Sequence, residues 1–172
     1  MFDLHAASVL LQWATGGLLF LWVTTRHREV GLGYGWLLRI TYGLMALGAL
    51  VVGLRYGVRP LRELGSAGVV LGSTIALVQS IRRRAVGVAG QEELAESRSA
   101  RVEAMTGIAR DAKEKAAEGA EFDPRLDLIA PAFGLVGLVG AGLAAGDPAW
   151  LNVARMLVGA LFLGAVSDGM LL

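Results

Sequence analysis

Five long stretches of almost uncharged residues constrain this chain more than any other feature of its sequence. They cover about residues 4–23, 32–54, 64–81, 126–145 and 150–172. As α-helices, which rise about 1.5 Å per residue, such stretches are long enough to cross a hydrocarbon layer about 30 Å thick. Because that layer offers the backbone no hydrogen-bonding partner, helices are the expected structure. The sequence therefore predicts an all-α, polytopic transmembrane bundle of about five spans, forming one integral membrane domain over residues 1–172.

Charge is concentrated between the third and fourth stretches. Residues 82–127 carry 19 of the 31 charged side chains, and this segment is too short to bury a useful core of its own. Apolar residues recur at helical spacing from Val102 to Ala116, and Gly119 suits a helix C-cap. We predict a polar, cytoplasmic helical loop over residues 82–125, with an amphipathic helix from about residue 91 to 118. Either a solvated helix or one that docks on a partner fits this pattern.

Lysine and arginine in the loops predict the orientation. With the N-terminus outside, the two cytoplasmic loops hold eleven of these residues, and the two outer loops hold three: Arg55, Arg59 and Arg62. Because cytoplasmic loops carry the excess of positive charge, the sequence predicts an outside N-terminus and a cytoplasmic C-terminus. The use of 14 arginines and 2 lysines, with abundant Ala, Gly, Val and Leu, is typical of GC-rich bacteria and indicates a bacterial inner membrane. The fifth span runs to Leu172 without a polar tail, which leaves open whether Leu172 is the natural C-terminus.

We single out three ionisable residues within the predicted spans: Arg39, Arg155 and Asp168. A charge at depth costs several kcal/mol unless it is paired, hydrated or near an end. In the predicted topology Arg39 and Asp168 share the cytoplasmic leaflet, so we predict an intramembrane ion pair between them. A polar crevice that serves a substrate pathway or proton relay is one interpretation, and simple interfacial anchoring is the other. Arg155 lies in the opposite leaflet, within reach of the outer interface.

Small residues recur every four positions in the third and fourth spans. Such faces let helix backbones approach closely within a membrane. The sequence predicts two helix-packing faces, which serve either this chain's own bundle or a homo-oligomer or partner-subunit interface. Their residues are Gly68, Gly72, Ala76 and Ser80 in the third span, and Gly137, Ala141 and Ala145 in the fourth.

Several function classes are disfavoured by what the sequence lacks. Without cysteine there is no disulfide, thiolate nucleophile, iron–sulfur cluster or Cys-type zinc site. The two histidines, His5 and His27, stand about 33 Å apart along one helix and cannot ligate both faces of one haem. Basic residues form no clustered face that could bind nucleic acid. We predict no catalytic residue, metal site or resident cofactor.

The preferred prediction is therefore a non-enzymatic function, as a multi-pass membrane subunit or partner-binding protein. The alternative is a transporter or channel-like protein with a polar crevice at Arg39 and Asp168. A weaker alternative is a membrane anchor that binds haem or quinone. The sequence specifies neither a substrate, nor a partner, nor the oligomeric state.

Overall fold

A computed structural model describes residues 6–26, 32–82, 91–107 and 123–171. Its helices are α1 (Ala6–Arg26), α2 (Leu32–Tyr56), α3 (Pro60–Arg82), α4 (Gln91–Thr106), α5 (Ile129–Leu143) and α6 (Ala149–Leu171), with a short 3-10 turn (Pro124–Leu128) leading into α5. In the described part of the chain, five helices are long and apolar enough to cross a membrane: all but α4, with α5 taken together with its 3-10 turn. The predicted all-α bundle with five potential spans is confirmed.

Helix α1 lies at the centre of the bundle. It packs against α2, α5 and α6 and also touches α3, while α2, α3, α5 and α6 follow one another around it. Leu11, Ala14, Leu18 and Leu21 of α1 are almost completely buried, and their spacing of three and four residues places them on one stripe of the helix. Among the described residues, no Cα atom of α2 lies within 8 Å of one of α6, so the backbones of these two helices do not pack against each other.

Glycines set the closest approaches between the helices. A Cβ atom built on Gly65 of α3 would clash with the backbone of Gly137 of α5, and one built on Gly72 would lie 2.9 Å from the Ala130 Cα atom. The residues of the two predicted packing faces are buried, with one exception. Ala145 is exposed, because α5 already ends at Leu143 and the chain turns at Gly146, whose φ is 99°.

The ends of α3 and α4 differ from those expected. Helix α3 begins at Pro60, a residue favoured at the first helical position, and so includes charged residues that we expected in the preceding loop. Helix α4 ends at Thr106, because Gly107 takes a φ of 67° and its amide bonds back to the Glu103 carbonyl. The helix predicted over 91–118 is therefore interrupted at Gly107, and its remaining part, with the predicted cap at Gly119, lies outside the described residues.

Candidate functional site

Buried polar side chains gather at two opposite ends of the bundle. We call one the Arg39 end, where α2 begins and α3 and α6 end. The other is the Arg62 end, where α1, α3 and α6 begin and α2 and α5 end. The residues predicted from the sequence as an intramembrane site, Arg39 and Asp168, both lie buried at the Arg39 end.

A two-bonded ion pair joins Arg39 of α2 to Asp127 in the turn before α5. The Arg39 Nε atom donates to Asp127 Oδ1 at 2.8 Å and Nη2 donates to Oδ2 at 2.6 Å, and each side chain is 2% exposed. Ser80 Oγ of α3 lies 3.5 Å from Arg39 Nη1 and accepts from Trp36 Nε1 at 2.9 Å. This geometry is the strongest form of an arginine–carboxylate contact, and it ties α2 to α3 and to the entry of α5.

The predicted partner of Arg39 needs correction, because the structure pairs it with Asp127 and not with Asp168. We count Asp127 with the charged residues 82–127, although the predicted fourth span begins at residue 126, and so do not consider it as a partner of Arg39. The 3-10 turn, capped by the Asp123 side chain accepting from the Arg125 amide, instead brings Asp127 into the bundle at the level of Arg39. An acidic residue at the first turn of a span, in the leaflet of a buried arginine, is the signal that could have identified it.

Asp168 of α6 has a tyrosine as its partner. Tyr42 of α2 donates its hydroxyl to Asp168 Oδ1 at 2.6 Å, and the Asp168 residue is 3% exposed. Asp168 Oδ2 is buried without a hydrogen-bond partner, and neither of the two ion pairs within the described residues includes Asp168. The hydroxyl of Tyr34, also in α2, is likewise buried and without a hydrogen-bond partner. The carboxyl group therefore sits in the bundle with one oxygen bound and one unsatisfied.

Tyr42 bridges the gap between α2 and α6. Its ring lies over Gly17 of α1, where any side chain would overlap it. Its hydroxyl also lies 3.3 Å from Ser167 Oγ, which accepts from Trp13 Nε1 at 3.2 Å and donates to the Leu163 carbonyl at 2.5 Å. The Ser167 hydroxyl thus connects α1, α2 and α6 beside the Asp168 carboxyl. We call Trp36, Arg39, Tyr42, Ser80, Asp127, Ser167 and Asp168 the polar cluster.

Replacing Tyr42 by phenylalanine is expected to lower the free energy of unfolding by about 1–3 kcal/mol, because it leaves both oxygens of a buried carboxyl without a donor. Thermal unfolding of the purified protein in detergent, followed by circular dichroism, measures the loss. Tyr56→Phe is the matched control, since Tyr56 is 79% exposed, and should unfold like the wild type. Equal midpoints for Tyr42→Phe and Tyr56→Phe would show that the Tyr42 hydroxyl bond adds nothing to stability.

The remaining residues singled out by the sequence do not join this cluster. Arg155 is exposed on α6 near the Arg62 end, and His5 and His27 lie outside the described residues. Over residues 6–26, 32–82, 91–107 and 123–171, no three acidic or histidine side chains come together in a way that could hold a metal ion.

Comparison of the chain with protein-family models, with curated proteins and with solved structures finds no match. Function has to follow from the residues themselves, and the polar cluster is where the described chain concentrates its buried ionisable groups. Its chemistry is that of one carboxylate neutralised by a guanidinium and of a second carboxyl without a cation.

Proposed function

We propose that this chain is a multi-pass membrane protein of the transporter class that binds and releases a proton at Asp168. One observation carries the proposal. The Asp168 carboxyl lies buried in a helix that is apolar enough to cross a membrane, with a tyrosine on one oxygen and nothing on the other. Burying an ionisable group within a membrane span costs free energy, so such a residue is by default taken to be functional.

The energetics of the two buried carboxyls differ. Asp127 faces a guanidinium that donates to both of its oxygens, so its negative charge is compensated. Asp168 has only a neutral hydroxyl donor, and an unpaired buried carboxylate costs several kcal/mol. A proton on Oδ2 removes that cost and turns this oxygen into a donor. Asp168 is therefore the group of the polar cluster that gains most from exchanging a proton.

Proton release at Asp168 would alter the contacts of Arg39. Arg39 and Tyr42 are three residues apart and lie on the same face of α2. A deprotonated Asp168 therefore competes with Asp127 for the guanidinium, and the ion pair predicted from the sequence is the contact expected in that state. Because Asp127 leads into α5 and Asp168 belongs to α6, exchanging the partner favours a different packing of these helices. Such a coupling of proton binding to conformation is what a proton-driven transporter requires.

The orientation and location predicted from the sequence are part of the proposal. Helix α3 ends at Arg82 at the Arg39 end, and Arg83 and Arg84 come next in the sequence. This run of cations supports a cytoplasmic position for the polar cluster in a bacterial inner membrane. The non-enzymatic subunit function stays a prediction, as does the haem- or quinone-binding anchor. A second polypeptide that co-purifies with the chain would support the subunit function.

Infrared difference spectroscopy tests whether Asp168 binds the proton. Spectra of the protein in nanodiscs, recorded between acid and alkaline pH, should show a protonated-carboxyl band that disappears in Asp168→Asn. Asparagine keeps an acceptor for Tyr42 and mimics the protonated acid, so the variant should fold at least as stably as the wild type. Asp147→Asn, in an exposed turn, is the matched control and should keep the band. A band that persists in Asp168→Asn contradicts the proposal.

Transport is tested separately in proteoliposomes that enclose a pH-sensitive dye. An imposed pH gradient should collapse faster with the wild-type protein than with Asp168→Asn, and Asp147→Asn should behave as the wild type. If the band depends on Asp168 but all three proteins dissipate the gradient equally, Asp168 binds a proton without moving one across the membrane. That result would contradict the transporter class and leave proton binding standing.

A further inference from the structure

A cavity of about 410 Å³ lies at the Arg62 end, far from the polar cluster. It is formed by the start of α1, the last turn of α2 and the beginning of α3. Its described lining is Ala6, Ala7, Val52, Gly53, Tyr56, Gly57 and Arg62. Small and apolar side chains make up most of this surface, and the exposed Tyr56 lies at its rim. The volume is within the range of sites that hold a small organic molecule.

Arg62 supplies the only charged side chain among the described residues of the lining. The residue is 1% exposed, although it lies in the first turn of α3, where the helix dipole disfavours a cation. Its Nε and Nη2 atoms donate to Glu63 Oε1 at 3.0 and 2.5 Å, and Nη2 also donates to the Gly57 carbonyl at 2.6 Å. Nη1 takes no part in these bonds. The two N–H groups of Nη1 are thus the guanidinium donors that these bonds leave over.

The charge balance indicates what kind of molecule this is. Glu63, next in the chain, already neutralises Arg62 at short range. An anion would therefore meet the nearby carboxylate as well as the guanidinium, and would gain little for the loss of its own hydration. A neutral oxygen acceptor gains a charge-assisted hydrogen bond from Nη1 without that loss.

We propose that this cavity binds a neutral, lipid-soluble molecule through a carbonyl oxygen that accepts from Arg62 Nη1. The apolar body of the molecule lies against Ala7, Val52 and Gly53, and its carbonyl reaches the guanidinium. Both a quinone and the ester group of a neutral glycerolipid offer this chemistry. The site is independent of the protonation of Asp168, which lies at the other end of the bundle.

Calorimetric titration of the full chain in detergent tests the site with three probes: a decyl-substituted benzoquinone, a short-chain diacylglycerol and decyl phosphate. Val52→Trp should fill the cavity and abolish binding of the carbonyl probe. Val158→Trp, the same change at an exposed position of α6, is the matched control and should leave binding unchanged. Arg62→Lys keeps the charge beside Glu63 but lacks Nη1, and should weaken binding about tenfold or more.

The probes also separate the two sources of the carbonyl group. Binding of the quinone alone, lost in Val52→Trp, supports the site with a quinone as its ligand. Binding of the diacylglycerol, lost in the same variant, supports it with a bilayer lipid. The proposal is overturned if decyl phosphate binds more tightly than both, if neither carbonyl probe binds, or if Val52→Trp binds as the wild type does. If Arg62→Lys fails to fold, the result with Val52→Trp still shows whether the carbonyl probe binds in this cavity.

Discussion

Asp127→Leu is expected to lower the free energy of unfolding by about 3–5 kcal/mol, because it leaves the Arg39 guanidinium buried without its carboxylate. The loss should be large since Arg39 cannot reach water without disturbing the packing of α2, α3 and the 3-10 turn around it. Denaturant-induced unfolding in mixed micelles, followed by circular dichroism, measures the change. Asp147→Leu, in an exposed turn, is the matched control and should change the unfolding free energy little.

The double variant Arg39→Leu/Asp127→Leu shows whether Asp127→Leu is destabilised by an unpaired buried charge or by a loss of helix packing. Replacing both charges with apolar side chains removes the desolvation cost of each, so the double variant should recover most of the loss. Recovery would show that the unfolding free energy lost in Asp127→Leu comes from leaving one buried charge without the other. If the double variant is as unstable as Asp127→Leu, the pair also holds the helices in register, and Ser80 and Trp36 cannot do so alone.

The number and positions of the spans could be predicted, because length and apolarity follow directly from the sequence. Arg39 was also found, since a charge inside an apolar run stands out. Asp127 was missed because it lies at a boundary, where a charged residue is equally compatible with the loop and with the span. Arg62 was placed in a loop for the same reason, although Pro60 at the first helical position marked the start of α3.

Contacts between helices that are distant in the chain could not be predicted. The four-residue spacing of small residues identified the buried faces of α3 and α5 but not the helix that each would meet. The sequence gives no sign of a special role for Tyr42, because a tyrosine in a span is compatible with simple packing. Its role becomes visible only when the structure places α6 beside it. The juxtaposition of Tyr42 with Asp168 depends on α1 presenting a glycine beneath the ring.

The packing of α1 on α6 gives the second large prediction. A Cβ atom on Gly164 would overlap the carbonyl group of Gly16 and would lie 2.8 Å from its Cα atom. No rotamer change relieves a clash with backbone, so Gly164→Leu must push α6 away from α1. The expected loss of unfolding free energy is about 3 kcal/mol or more, the upper range for overpacked sites. Thermal unfolding in detergent and the yield of monodisperse protein both measure it.

Gly169→Leu is the matched control for this prediction, since it makes the same change five residues later on the same helix. A Cβ atom there meets nothing within 4 Å, and replacing an exposed helical glycine usually stabilises the helix slightly. Gly164→Leu should therefore unfold far earlier than Gly169→Leu, although both variants gain the same apolar side chain. Similar unfolding of the two would mean that α6 does not pack on α1 through Gly16 and Gly164. Because Ser167 and Asp168 reach Tyr42 only if α6 is held in this place, that result would also remove the basis of the proton site.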